Sequence, residues 1–197
     1  MDITRYRALQ KWADELDGVF TIADLKVALN EKAESTLYRV LGELTREGLL
    51  IKVKRGIYAT PQASLTTVSC RIDPESYIST GTVLARTATI GSIPARRVQA
   101  VKIGRPRLYR SELGVIEHLS ISPRLYFGFT SLEGQLVASP EKAFLDVCYY
   151  TYKGKSFSFD PGSDINLGDL DFDVIAPYLE LYDDRFVSFF NRIWRRP

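Results

Sequence analysis

The sequence predicts an α+β protein in two parts. Three observations carry this expectation. Residues 1–60 hold three amphipathic helical repeats and then two short strands; a proline-marked break follows; alternating apolar strands mixed with helix signals fill the remainder. In the first part, Ile3, Tyr6, Leu9, Trp12, Ala13 and Leu16 recur at three- and four-residue spacing and predict a helix that Asp17-Gly18 ends. Thr21 suits the N-cap of a short second helix, with Ile22, Leu25, Ala28 and Leu29 facing inward. After a break at Asn30-Glu31-Lys32, a third helix is expected over residues 34–47, closed by Gly48 at the position where a positive φ suits glycine. Residues 49–53 and 57–59 read as two strands around the basic turn Lys54-Arg55-Gly56. Three helices and a hairpin in this order are the layout of a winged helix-turn-helix, assigned to residues 1–60.

Pro61-Gln62-Ala63-Ser64 reads as a linker to a second domain over residues 65–197. There the pattern predicts a strand at 66–72 and a helix from Asp73-Pro74 to about residue 86. Further strands are expected at 98–103, 115–121, 125–129 and 136–138. Ser139-Pro140-Glu141 opens a helix to about residue 152, and two more helices are expected at 172–181 and 185–194. The expected architecture is therefore an N-terminal winged helix-turn-helix followed by a mixed α+β C-terminal domain.

Composition excludes several classes of chemistry. A single histidine, His118, rules out multi-histidine metal sites and confines any Ser/His/Asp or Cys/His catalysis to that residue. Cys70 and Cys148 are far apart without CxxC spacing and read as reduced thiols. The longest uncharged stretch, residues 56–70, is rich in Ser and Thr, contains Pro61 and falls short of the ~20 apolar residues of a membrane span. With no apolar run at the start, the chain reads as cytoplasmic. The net charge of +2 hides an uneven distribution: +1 over residues 1–60, +5 over 61–130 and −4 over 131–197.

The third helix carries the functional expectation. At about 100° per residue, Leu37, Val40, Leu41 and Leu44 share one arc, while Ser35, Tyr38, Arg39, Gly42 and Arg46 share the opposite one without a carboxylate. Such a stripe suits a groove lined with phosphates, and an arginine there can reach a guanine edge. Gly42 costs about 1 kcal/mol against alanine in mid-helix but lets another backbone approach closely. The candidate DNA-contacting residues are Lys32, Ser35, Thr36, Tyr38, Arg39 and Arg46, with Lys52, Lys54 and Arg55 on the wing. A second basic run, Arg96, Arg97, Lys102, Arg105, Arg107 and Arg110, has no acid in its fifteen residues. It is a candidate phosphate, nucleic-acid or antitoxin surface; the plainer reading is an edge strand protected by charge.

Three strings resemble a known family. VKRGIYATP (residues 53–61) is similar to the close of the winged helix in AbiE-type antitoxins, the antitoxin half of type IV toxin–antitoxin systems. SYISTGTVLARTATIGSIP (76–94) resembles their stretch in which a helix begins at "YIS" and ends before a proline. VASPEKAFLDVCYY (137–150) resembles their "PEKAxLD" helix. The matches run in the family's order and cover roughly residues 15–155; the acidic tail after Gly154 has no counterpart. The resemblance implies a two-domain repressor that binds double-stranded operator DNA and silences its own operon. It also implies that the C-terminal domain counters a nucleotidyltransferase-like toxin encoded beside it, without a stable toxin complex.

Other constellations have simpler explanations. Asp169, Asp171, Asp173 and Glu180 fit positions 1, 3, 5 and 12 of a calcium loop, but Val174 stands where glycine is needed, and acids at a helix start account for them. Gly162-Ser163 before Asp169-Leu170-Asp171 resembles a nucleotidyltransferase metal motif, with spacing too short for that fold. Lys142 and Asp146 are spaced for a helical ion pair worth a few tenths of a kcal/mol, structural and not catalytic. Tyr149, Tyr150, Tyr152, Phe157 and Phe159 read as core or docking surface. The sequence thus points to a non-enzymatic DNA-binding antitoxin and autorepressor with no cofactor and no metal. The alternatives are a ligand-responsive winged-helix regulator and a protein-docking adaptor without DNA contact.

Overall fold

A computed structural model describes residues 3–194, so the outer limits of the two expected domains, 1 and 197, lie outside the described residues, as does the side chain of Ile3. The fold is α+β, and the chain divides into two compact units, residues 1–73 with 108–116, and 74–107 with 117–197.

The first unit begins with α1 (Ile3–Glu15), β1 (Val19–Thr21), α2 (Ile22–Ala28) and α3 (Glu34–Arg46), followed by β2 (Ile51–Lys54), β3 (Ile57–Ala59) and α4 (Leu65–Ile72). Thr21 starts α2 with a reciprocal cap: its hydroxyl accepts from the Asp24 amide at 3.2 Å, and the Asp24 carboxylate accepts from the Thr21 amide at 2.8 Å. Gly48 follows α3 at φ +71°, as expected. The strands form an antiparallel sheet in the order β1-β3-β2, with Val19 opposite Ala59 and Lys54 opposite Ile57.

Period-two alternation gives this sheet two apolar faces. Phe20 and Tyr58 join Leu25, Leu37, Leu41 and Leu44 in the core of the three helices. Val19, Val53, Ile57 and Ala59 face the other way, onto Val68 of α4 and onto Leu113 and Ile116. The strand expected at 66–72 is therefore a helix. Its β-branched residues suggested a strand, but Ser64 caps it by accepting from the Thr66 amide at 3.3 Å, and Arg71 bonds Asp24 at 2.8 Å. The division thus falls after Asp73, not at the expected linker 61–64, and residues 108–116 return to the first unit.

The second unit contains β4 (Tyr77–Ile78), α5 (Gly81–Arg86), β5 (Arg97–Ile103), most of β7 (Gly114–Ile121), β8 (Phe129–Leu132), β9 (Gln135–Ala138), α6 (Pro140–Tyr152), α7 (Phe172–Leu179) and α8 (Asp184–Ile193). β6 (Arg107–Ser111) falls in the first unit but for Arg107, and the strands of the second follow the order β7-β5-β4-β9-β8. Two expectations fail here. The helix expected over 73–86 is β4 followed by the short α5, because residues 76–80 are buried and Tyr77 and Ile78 pair with β5 on one side and β9 on the other. The strand expected at 125–129 is displaced: Pro123 starts a 3₁₀ turn, and β8 begins only at Phe129. Glu133 and Gly134, both at positive φ, make the two-residue turn of the β8–β9 hairpin. Ser139 caps α6 as expected, accepting from the Lys142 amide at 3.1 Å.

Among the described residues no helix is long and apolar enough to cross a membrane. Two of the tail acids cap helices: Asp171 accepts from the Asp173 amide in the first turn of α7, and Asp183 from the Phe186 amide in the first turn of α8.

Candidate nucleic-acid interface

Helix α3 presents the stripe its spacing implied. Leu37, Val40, Leu41 and Leu44 are buried, while Ser35, Tyr38, Arg39, Gly42 and Arg46 are exposed and Thr36 is half-buried. Lys32 is exposed on the turn before the helix, and the N-cap residue Ala33 supplies no side-chain acceptor to the first amides of α3. On the β2–β3 hairpin, Lys52 and Arg55 are exposed and Lys54 is half-buried; Val53 points into the core between them. All nine candidate residues thus belong to one unit, on one helix, the turn before it and one hairpin.

One detail revises the sequence reading of a carboxylate-free stripe. Arg39 donates to Glu43 one turn on, at 2.6 Å, with the two side chains 61% and 40% exposed. Glu43 stands on the flank of the stripe, and the long guanidinium arm reaches it there. An exposed pair at this spacing contributes only ~0.3–0.5 kcal/mol, so a phosphate or a guanine edge can displace it. Gly42 is open on its outer side: a Cβ there would meet nothing within 4 Å. No protein contact in this unit requires glycine at that position.

The second basic run is divided between the two units and between strand faces. Arg110 belongs to the first unit, the other five cations to the second. Strand alternation puts Arg97 and Lys102 on opposite faces of β5, and Arg107 and Arg110 on opposite faces of β6. Arg105 lies on the turn between those strands, and Arg96 is exposed just before β5.

Arg97 lies in the field of Glu117, a half-buried carboxylate that accepts from Lys155 at 2.6 Å and Gln99 at 2.9 Å. Burial alone raises the pKa of Glu117, but those two hydrogen bonds and the charges of Lys155 and Arg97 outweigh it and hold the carboxyl below its ordinary 4.5. A carboxyl depressed in the folded state stabilises the fold above pH 4.5 and loses that contribution as pH falls through the folded value. Glu117→Gln is therefore expected to lower the melting temperature at pH 7. The gap to the parent should close in melts taken progressively below pH 4.5.

The largest departure from the sequence reading is at Lys142 and Asp146. Both are fully buried, with Nζ 2.6 Å from Oδ1. The other carboxylate oxygen accepts from the Tyr77 hydroxyl at 3.0 Å and the Ser79 hydroxyl at 2.7 Å. The ammonium lies 4.6 Å from the Phe127 ring centre and 3.4 Å from the Tyr182 hydroxyl. The estimate of a few tenths of a kcal/mol for an exposed pair does not apply to charges without solvent. The strings 76–94 and 137–150, distant in sequence, thus meet through Tyr77, Ser79, Lys142 and Asp146.

Next to this cluster, Thr80 sits at φ +53°, a conformation that strains a β-branched residue, and its hydroxyl donates to Gln99 at 2.8 Å. Sequence reasoning missed Tyr77, Ser79 and Gln99. The signal for the first two was the hydroxyl-rich segment Ser76 to Thr80, where a helix was expected. The tail aromatics Tyr149 and Tyr152 pack on Phe186, and the Tyr150 hydroxyl donates to the Ser120 carbonyl at 2.9 Å.

No family model and no curated protein matches the chain. Among solved structures, the crystal structure of the RV2827C protein from Mycobacterium tuberculosis is similar, with a TM-score of 0.66 at 14% sequence identity. The match covers 98% of this chain and 76% of that one. At this identity the likeness concerns the fold: nearly the whole chain follows an arrangement already seen in another protein.

Proposed function

We propose that the first unit is a winged helix-turn-helix that binds double-stranded operator DNA, with α3 in the major groove and the β2–β3 hairpin as the wing. The carrying observation is the exposed face of α3, whose Ser35, Tyr38, Arg39, Gly42 and Arg46 lie opposite a fully buried apolar face. The element order and the β1-β3-β2 sheet also support this reading. Arg39 reads a base edge, and Lys52, Lys54 and Arg55 meet the phosphate backbone. The chain is then a cytoplasmic, non-enzymatic autorepressor. Its role as an antitoxin against a nucleotidyltransferase-like toxin rests on the resemblance of its three strings to the AbiE-type family.

Gly42 offers a direct test. Gly42→Ala adds a methyl group to open space, so it is expected to stabilise the first unit by about 0.5–1 kcal/mol in urea unfolding. The same methyl group stands where a DNA backbone would approach, so gel shifts with the chain's own promoter fragment should weaken. A variant that is more stable and binds the promoter as well as the parent would remove Gly42 from the interface. If no variant of α3 or the wing alters promoter binding, the DNA reading fails.

A ligand-responsive regulator has one observation in its favour: an open cleft of about 580 Å³ in the first unit, lined by Tyr6, Gln10, Asp14, Asp17, Leu49 and Gln62 among others. That reading requires a small molecule that changes promoter affinity.

A further inference from the structure

The second unit carries a ring-lined cleft that the DNA reading does not use. It is an open depression of about 430 Å³, lined by Tyr152 at the end of α6 and by Asp184, Arg185, Ser188, Phe189 and Arg192 of α8. Arg185, Ser188, Phe189 and Arg192 recur at three-, four- and seven-residue separations, so they share one stripe of the helix. Phe186 and Phe190 occupy the inward stripe and are buried. The Tyr152 and Phe189 rings meet with centroids 5.3 Å apart, and both are half-buried, so the floor of the cleft is aromatic and reachable from solvent.

The cations around this floor run against their background. Residues 131–197 carry a net charge of −4, yet Lys153, Arg185 and Arg192 are all exposed at this place. The Arg192 guanidinium lies 5.6 Å from the Phe189 ring centre, and the Lys153 ammonium 5.3 Å from that of Tyr152. Aromatic faces accept a planar heterocycle, and guanidinium groups grip phosphate through paired donors. Asp184, exposed in the first turn of α8, repels a phosphate but is an acceptor for sugar hydroxyls. A ligand with a ring, a ribose and a phosphate satisfies all three, and the volume falls within the range of small-molecule sites.

We infer that the cleft between the end of α6 and the outer stripe of α8 binds a ribonucleotide, its base on Tyr152 and Phe189, its phosphate against Arg185 and Arg192 and its ribose at Asp184. The ligand is a free nucleotide or a nucleotide of single-stranded RNA. No residue of the first unit takes part, so the inference stands whether or not the DNA reading does.

Isothermal titration of the full chain tests it with AMP, dAMP, inorganic phosphate and a short single-stranded oligoadenylate. AMP is expected to bind about tenfold or more tighter than phosphate, the scale of one stacked base. The exposed double variant Arg185→Ala/Arg192→Ala should lose AMP binding by about tenfold or more, the scale of charge-assisted hydrogen bonds. Arg124→Ala, an exposed cation outside the cleft, should match the parent. Asp184→Ala should erase the preference of AMP over dAMP. Tighter binding of AMP than of oligoadenylate identifies a free nucleotide; the reverse order identifies single-stranded RNA. Equal affinity for AMP and phosphate, an unaffected double variant, or no binding of AMP at millimolar concentration overturns the inference.

Discussion

Replacing Asp146 by alanine is expected to destabilise the second unit by about 3–5 kcal/mol, the largest effect of any single substitution considered for that unit. The side chain removed is fully buried and accepts three hydrogen bonds, from Lys142, Tyr77 and Ser79. Its loss leaves an ammonium group without a counter-ion among Phe127, Tyr77 and Tyr182, and two hydroxyls without an acceptor. Asp146→Asn restores the shape but not the charge and should recover only part of the loss. The double variant Lys142→Met/Asp146→Leu removes both charges, so it should be more stable than Asp146→Ala despite carrying one more substitution. Trp12 lies in the first unit and Trp194 in the second, so urea unfolding followed by fluorescence in a Trp12→Phe background reports the second unit alone. A double variant no more stable than Asp146→Ala would mean that the stranded charge is not the source of the loss.

Neutralising Lys52, Lys54 and Arg55 together is expected to give the largest loss of DNA binding. Each phosphate contact removed should lower the salt slope of the binding constant by about 1, and promoter and unrelated duplex should weaken alike. Arg39→Ala has a different signature: a loss of about 1–3 kcal/mol on the promoter, little change on unrelated DNA and an almost unchanged salt slope. Glu43→Gln removes the carboxylate that holds Arg39 in the free protein, so promoter affinity should rise modestly. These three outcomes separate backbone contact from base reading within one series of gel shifts. If the wing variant and Arg39→Ala both bind as the parent does, the proposed interface is wrong.

The elements best foreseen from sequence are those whose signals are local. The three leading helices, Gly48 after α3 and the Ser139-Pro140 start of α6 each follow from a cap or a periodic stripe within a few residues. The elements missed depend on distant partners. Tyr77 and Ile78 are a strand only because β5 and β9 flank them, and nothing in the neighbouring sequence reveals that. Thr66 and Val68 have β-branched side chains, yet Ser64 and the burial of Val68 make the segment a helix. The candidate DNA face was legible because an amphipathic helix shows its outer stripe in its spacing. The buried ion pair was only half legible: the four-residue spacing was visible, but not the loss of solvent that makes removal of one partner so costly.

The outer face of the β1-β3-β2 sheet has a consequence for how the protein is made. Val19, Val53, Ile57 and Ala59 are covered in part by Leu113 and Ile116, residues synthesised more than fifty positions after the sheet. On the ribosome, the three helices and their strands emerge well before that cover does. At ordinary elongation rates the interval between Asp73 and Ile116 lasts roughly 2–9 s. During it the nascent chain presents an apolar sheet face that only its own later sequence closes. A pause in translation within residues 74–107 would prolong that exposure, so the tempo of synthesis, and not the finished fold alone, bears on how much protein escapes aggregation.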